Sequence, residues 1–319
     1  MTTDKFSIVF MGTPEFAVHI LDGLYEAGIQ IAGVITAPDK PAGRGQQIQQ
    51  SAVKKYAMEK ELNILQPTNL KAPEFIEELQ ALNANLFVVV AFRMLPEVVW
   101  SMPPMGTINL HASLLPNYRG AAPINRAIMN GESETGVTTF FIEKEIDTGK
   151  VIERESISIG ENETAGELHD RLLELGRKLT ISTVNKIKNG NAEAIDQLCI
   201  QEGNLKSAPK IFREDCLINW NNSVQEVHDF IRGLSPYPAA HTLLVNEKGE
   251  IKSFKIFKGT KTEKRTVADF QLIEDGNGIL FPCGDYYYSV SELQPEGKRK
   301  MNFKELLAGN RLQDWKIKV

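Results

Sequence analysis

The sequence predicts an α/β protein in two parts: a doubly wound, mainly parallel sheet with helices on both faces, then a smaller β-barrel. Three observations carry this expectation. Through the first part, short apolar runs alternate with stretches of helical periodicity, the signature of strand–helix–strand crossovers. One of these runs, Leu-Phe-Val-Val-Val-Ala at 86–91, is apolar without a break, as a strand covered on both faces must be. Beyond residue 240, short β-rich runs follow one another with Gly and charged residues between them. The 319 residues are also enough for two cores of about 150 residues each.

The elements follow in order. Residues 6–11 are the first apolar run, and Gly12-Thr13-Pro14 opens a helix whose buried face is Phe16, Ile20, Leu21 and Leu24. A second strand at 31–36 is ended by Pro38, and 39–50, with one Pro and two Gly, reads as a loop. Helices at 53–60 and 73–82 precede the strand at 86–91. Strands at 107–111 and 137–143 flank a helix near 123–130. The long helix 165–188 repeats Leu168, Leu172, Leu175 and Leu179 and stops at Asn189-Gly190-Asn191. The polar stretch that follows lacks periodicity, so the expected organisation is a first domain at 1–189, a linker at 190–208 and a second domain at 209–319. In the second domain we expect a helix at 223–232 and strands at 242–245, 251–257, 270–273, 279–281 and 286–290. The Ile and Phe of 251–257 are expected in the core and its lysines outside.

Composition excludes several classes. The chain is 42% hydrophobic and 24% charged, the balance of a globular protein. No apolar run approaches the roughly 18–20 residues of a membrane helix, and no secretory signal is read before residue 6. Cys199, Cys216 and Cys283 lie far apart with no C-x-x-C pair, so neither a disulfide framework nor a zinc site is expected, and a reducing cytoplasm fits. The first turn after a strand carries one glycine where a dinucleotide fingerprint has three. There is no G-x-x-x-x-G-K-[ST] and no G-x-S-x-G, so nothing points to ATP hydrolysis, hydride transfer or a serine hydrolase. From Lys206 onward 18 basic residues meet 15 acidic ones, while the earlier residues hold 18 and 26. That difference is compatible with an ordinary mixed surface or with a second domain that touches phosphates.

The most informative stretch is Thr107-Ile108-Asn109-Leu110-His111-Ala112-Ser113-Leu114-Leu115-Pro116. On a strand, Asn109 and His111 are two apart and share a face, with Ile108 and Leu110 on the other. An amide and an imidazole at the carboxyl end of a parallel strand sit where open α/β sheets place ligands. They could donate to an oxygen that becomes negative as a carbonyl is attacked. The strand alone equally allows Asn109 as a turn cap and His111 as a satisfied strand end. Asp147, after the strand at 137–143, would leave a neighbouring strand on the same edge and could orient His111 and help take a proton from an amine. Alone, it reads as an Asx-turn before Gly149. Together the three supply what acyl transfer to an amine needs, with Ser113, Leu114, Leu115 and Pro116 as the adjoining binding surface.

At these residues the sequence resembles the folate-dependent formyltransferases, and specifically their methionyl-tRNA branch. The resemblance covers nearly the whole chain: MGTPEFA at 11–17, PAGRG at 41–45, NLHASLLPNYRGAAP at 109–123, ETGV at 134–137, DTG at 147–149, INW at 218–220 and RGLSPYP at 232–238. It implies a Rossmann-like catalytic domain and an OB-like C-terminal barrel that binds tRNA. It implies transfer of a formyl group from 10-formyltetrahydrofolate to the α-amine of methionyl-initiator-tRNA in the cytoplasm, by a monomer, with no metal and no membrane. The family's catalytic positions fall on Asn109, His111 and Asp147, and its folate-contacting segment on Ser113, Leu114, Leu115 and Pro116. The residues around Leu86–Leu95 and Gly136–Asp147 would wall the pterin. Lys40 and Arg44 fall in the loop that meets the acceptor stem. The chain departs from the family pattern at Phe92-Arg93, which lacks a usual Gly, at Gln46-Gln47, where basic residues are frequent, and at Tyr237, where Trp is common. A sugar-amine or glycinamide-ribonucleotide formyltransferase would share the three polar residues without needing the loop at 41–45. A nucleic-acid-binding protein with an inactive core would need none of them.

Overall fold

The computed structural model describes residues 6–42, 47–200, 203–267, 271–276, 278–309 and 315–318. Its compact units are 1–120, 136–156 and 171–206 on one side, and 121–135, 157–170 and 207–319 on the other.

The first unit is built from β1 (Ser7–Gly12), α1 (Glu15–Glu26), β2 (Gln30–Ile35), β3 (Lys40–Ala42), β4 (Gln47–Gln49), α2 (Ala52–Glu59), β5 (Ile64–Leu65), α3 (Pro73–Ala81), β6 (Leu86–Val90), α4 (Glu97–Trp100), β7 (Thr107–His111) and β8 (Arg119–Gly120). After α5 (Pro123–Met129), which belongs to the second unit, come β9 (Glu134–Phe141), β10 (Val151–Ser158) and α6 (Ala165–Lys188). The main sheet has the order β10-β9-β7-β6-β1-β2-β5. The pairs β1/β2, β1/β6, β2/β5 and β6/β7 are parallel, so the carboxyl ends of β1, β6 and β7 share one edge. The β7/β9 pair is antiparallel.

Both faces are covered. Val9, Met11, Phe87 and Val89 pack with Phe75 and Leu79 of α3 and Val99 of α4. On the opposite face Leu110 lies against Gly176 of α6, which also borders Ile20 of α1. The turn after β1 needs its glycine, because a Cβ at Gly12 would run into Ala17 and the carbonyl oxygen of Val90. Pro14 is the N-cap of α1 and makes no side-chain capping bond, whereas Ser51 caps α2 by accepting from Lys54 N.

Besides the short β5, α4 and β8, which the sequence reading did not anticipate, two longer segments differ from expectation. The expected loop at 39–50 contains the β3/β4 hairpin, with Pro41 opposite Ile48. The strand β10 was not expected at all. Its Glu153, Arg154 and Glu155 disguise it as a polar linker, but Glu153 is turned onto α6 and accepts from Ser182 (3.0 Å), Thr183 (2.6 Å) and Lys186 (2.7 Å).

The second unit contains α5, β11 (Ser207–Ala208), α7 (Val224–Leu234), β12 (Ala240–Asn246), β13 (Ile251–Arg265), β14 (Ile273–Asp275), β15 (Gly278–Pro282), β16 (Tyr286–Pro295), β17 (Met301–Asn302), α8 (Phe303–Gly309) and β18 (Trp315–Ile317). Its sheet, β14-β15-β16-β13-β12-β18, is antiparallel and curls into a partial barrel, with a bridge from Gln271 to Lys316 between its ends. Phe270, which opens the expected strand 270–273, lies outside the described residues. Trp220 stacks on Phe281 at 4.8 Å in the core, and α7 begins with a capping box between Ser223 and Glu226. In β13, Phe254 and Ile256 are buried and Lys252, Lys255, Lys258 and Lys264 exposed, but Ile251 is 47% exposed and Phe257 only half-buried, because alternation puts both on the face opposite Phe254 and Ile256. No helix among the described residues is long and apolar enough to cross a membrane.

His228 of α7 is buried in this core as the neutral ring: Nε2 donates to the Glu161 carbonyl (3.1 Å) and Nδ1 accepts from the Tyr288 hydroxyl (3.3 Å). Burial holds its pKa below the ordinary histidine value. The unfolded chain therefore binds a proton, below a pH of about 6.5, that the folded one refuses. We predict that stability to urea falls as pH drops from about 6.5 toward the lowered value, and that His228→Gln flattens the decline. His241, also lowered by burial, leaves a residual slope. An unchanged slope in the variant would refute this role for His228.

Candidate active site

The site begins on β7. Asn109 pairs in register with Val89 and Phe140, and His111 stands opposite Thr138. Asn109 is half-buried, and among the described residues its amide makes no hydrogen bond. Among the described residues the one side-chain polar atom sealed from solvent without a partner is Thr266 Oγ1, so the Asn109 amide is open to solvent. His111 is buried, at 7% exposure. Its Nε2 lies 2.8 Å from the carbonyl oxygen of Tyr118. A carbonyl can only accept, so Nε2 carries hydrogen and Nδ1 is the nitrogen left to exchange a proton. Nδ1 faces Asp147 Oδ2 at 3.8 Å, an ion-pair distance when the ring is protonated and too long for a direct hydrogen bond.

The carboxylate reaches His111 by a different path from the one expected. Because β9 is antiparallel to β7, its carboxyl end points to the opposite edge of the sheet, with Phe141 beside Ile108. The residues after Phe141 must double back, and Gly149 shows how tightly they do so: a Cβ there would collide with the Phe141 carbonyl oxygen. Asp147 takes a left-handed backbone (φ 56°), and its Oδ2 accepts from the Gly120 N–H at 2.9 Å.

The segment after β7 is braced from within. The Ser113 hydroxyl donates to the Asn117 carbonyl (2.7 Å) and the Thr138 hydroxyl to the Ser113 carbonyl (2.7 Å), while Leu115 N donates to Thr138 Oγ1 (3.1 Å). Arg154 donates to the Leu115 carbonyl at 3.0 Å. Ser113, Leu115 and Pro116 are buried, with Leu115 packed on Phe140 and Val151, so Leu114 is the side chain of the four that stays part-exposed. Leu114 lies where a side chain at Gly136 would otherwise project. Tyr118 is left-handed at φ 60°, which helps aim its carbonyl at His111.

Other expected positions lie away from this cluster. Lys40 is exposed on β3, and Arg44 lies outside the described residues. The hairpin's base is pinned by Asp39, which accepts from Lys54 (2.6 Å) and Gln66 (2.8 Å); the Lys54 hydrogen bond, then Gln66, holds Asp39 below the usual carboxylate range. Arg93 donates to the carbonyls of Thr68 (3.0 Å) and Pro67, so its guanidinium ties two loops together. Sequence reasoning missed Thr138, Arg154 and Gln197. Gln197, within the expected linker, is 2% exposed and donates to the carbonyls of Asp147 (2.9 Å) and Gly149 (2.8 Å). Its partners are backbone atoms some fifty positions away, which no local pattern announces. Among the described residues no group of three His, Cys, Asp or Glu side chains is placed to hold a metal ion.

An open amide, an imidazole with one committed nitrogen and a returning carboxylate together can polarise a carbonyl and accept a proton beside it. The relatives of the chain are consistent with that chemistry. The model of formyl transferase matches residues 5–184, and that of the formyl transferase C-terminal domain matches 210–311. A methionyl-tRNA formyltransferase of Bacteroides fragilis is 51% identical over 317 residues, 98% of each chain. One of Flavobacterium johnsoniae is 52% identical over 314 residues, again 98% of each. A solved sugar 3N-formyl transferase, WlaRD, crystallised in the presence of dTDP and 5-N-formyl-THF, shares the fold with a TM-score of 0.64 at 21% identity, over 92% of this chain and 99% of its own. With both domain models matched and half of all positions shared along its length, the chain belongs to the formyl transferase family.

Proposed function

We propose that this chain transfers a formyl group from 10-formyltetrahydrofolate to the α-amine of methionine on initiator tRNA, acting in the cytoplasm as a monomer. What supports the acceptor is the full-length identity of about half to relatives named methionyl-tRNA formyltransferase. What supports the chemistry is the open Asn109 amide beside the His111–Asp147 pair at the sheet edge.

The folate supplies a formyl carbon on N10 and leaves as tetrahydrofolate once N10 has gained a proton. The Asn109 amide, without a hydrogen-bond partner among the described residues, donates to the formyl oxygen, and its bond strengthens as that oxygen becomes an anion. His111 holds Nε2–H on Tyr118, so its Nδ1 side serves the reacting atoms. As the amine attacks, a new carbon–nitrogen bond forms and the amine gives up one proton to Asp147 or His111 Nδ1, directly or through water. Collapse breaks the bond to N10. Leu114 and the braced 113–116 backbone form the wall against the folate, and Ser113, Leu115 and Pro116 hold that wall in shape.

The test is turnover with charged initiator tRNA. Wild-type protein is expected to formylate methionyl-tRNA and to leave free amino sugars unmodified; the opposite preference would refute the acceptor. Asn109→Ala is predicted to lower kcat by about 10²–10³-fold, the effect of removing one oxyanion donor, with the tRNA KM within about threefold. An undiminished kcat would remove Asn109 from the reaction.

Lys40, on the hairpin whose base Asp39 pins, and Arg44, outside the described residues, are proposed as phosphate contacts. Lys40→Ala and Arg44→Ala are each predicted to raise the tRNA KM more at about 50 mM than at about 200 mM salt, because a lost phosphate contact flattens the salt dependence. A KM equally raised at both would exclude them.

A further inference from the structure

We infer that Gln197 is a positioning residue for Asp147, the far side of a clamp that makes the DTG loop aim its carboxylate at His111. This inference rests on the formyl-transfer reading for its kinetic consequences, though the clamp itself is read from geometry alone.

Asp147 occupies a left-handed backbone conformation, uncommon for a residue other than glycine. Two sets of contacts enforce it here. The Gly120 N–H holds the carboxylate, and both N–H groups of the Gln197 amide hold the backbone, at the carbonyls of Asp147 and Gly149. Gln197 is itself fixed by Arg119, whose Nε and terminal nitrogen donate to its Oε1 at 3.0 and 2.6 Å. Arg119 and Gly120 are neighbours in the chain, so one dipeptide grips Asp147 at both ends, through its side chain and through the Gln197 amide. Every hydrogen-bonding position of that amide is used, and the residue is almost wholly buried. Of this ring, Asp147 is the residue whose side chain faces His111.

Gln197→Glu separates the roles. It keeps the size and the acceptor for Arg119 but replaces the two donors with an oxygen that faces two carbonyls. The prediction is a fall in kcat of about 10–100-fold with both KM values within twofold, and less than a twofold further loss when the change is added to Asp147→Asn. A merely structural Gln197 gives multiplied losses in the double variant and altered KM values, which would overturn the inference. As a readout that needs no turnover, the 15N resonance of His111 Nδ1, assigned through His111→Asn, is expected to move in Gln197→Glu. A resonance that stays in place also overturns it. Wild-type protein inactive on methionyl-tRNA would sink the formyl-transfer reading, while the ring-nitrogen shift would still judge the clamp.

Discussion

The hydrogen bond from His111 Nε2–H to the Tyr118 carbonyl is the contact on which the site depends. It settles the tautomer, fixes the plane of the ring at the end of β7, and commits one nitrogen to structure. The chemistry is left to Nδ1, which looks toward Asp147. Had Nε2 been free instead, the carboxylate would face a nitrogen with no fixed role. The bond exists because the chain after β7 turns back within seven residues, braced by Ser113, Thr138 and Arg154, and passes through a left-handed Tyr118. Several hydrogen bonds to backbone carbonyls therefore hold in place one imidazole.

The sheet performs a complementary task. Parallel β1, β6 and β7 bring their carboxyl ends to one edge, while antiparallel β9 carries the chain away from it. A carboxylate can reach the histidine only if the following loop reverses, which is why Gly149 is pressed against Phe141 and why Asp147 is held from more than one side. The cost of that reversal is met by hydrogen bonds to residues far apart in the chain, and it yields a polar cluster that is rigid without being closed to solvent.

What was legible in the sequence was what periodicity encodes. β6 could be placed from its apolar run, β7 from Ile108 and Leu110 alternating with polar residues, and α6 from leucines at helical spacing. Asn109 and His111 could be assigned to one face because strand geometry has period two. Strand direction is not encoded that way, so the route to Asp147 was misread although its place beside His111 was expected. β10 stayed hidden because its Glu153 is satisfied by α6 and not by water, and the β3/β4 hairpin because Pro41 and two glycines read as loop. In the second unit Ile251 and Phe257 fall on the face of β13 opposite the buried Phe254 and Ile256, a split that follows from alternation once the segment is a strand. Arg93 shows the reverse situation, a departure from the family pattern whose guanidinium is engaged by the carbonyls of Pro67 and Thr68.

The most direct measurement is a crystal structure with a stable formyl-folate bound. The account predicts the formyl oxygen about 3 Å from Asn109 Nδ2, with Asp147 and His111 Nδ1 beside the face from which an amine would approach. A ligand whose formyl group lies elsewhere, or an Asn109 amide turned away from it, would contradict the account.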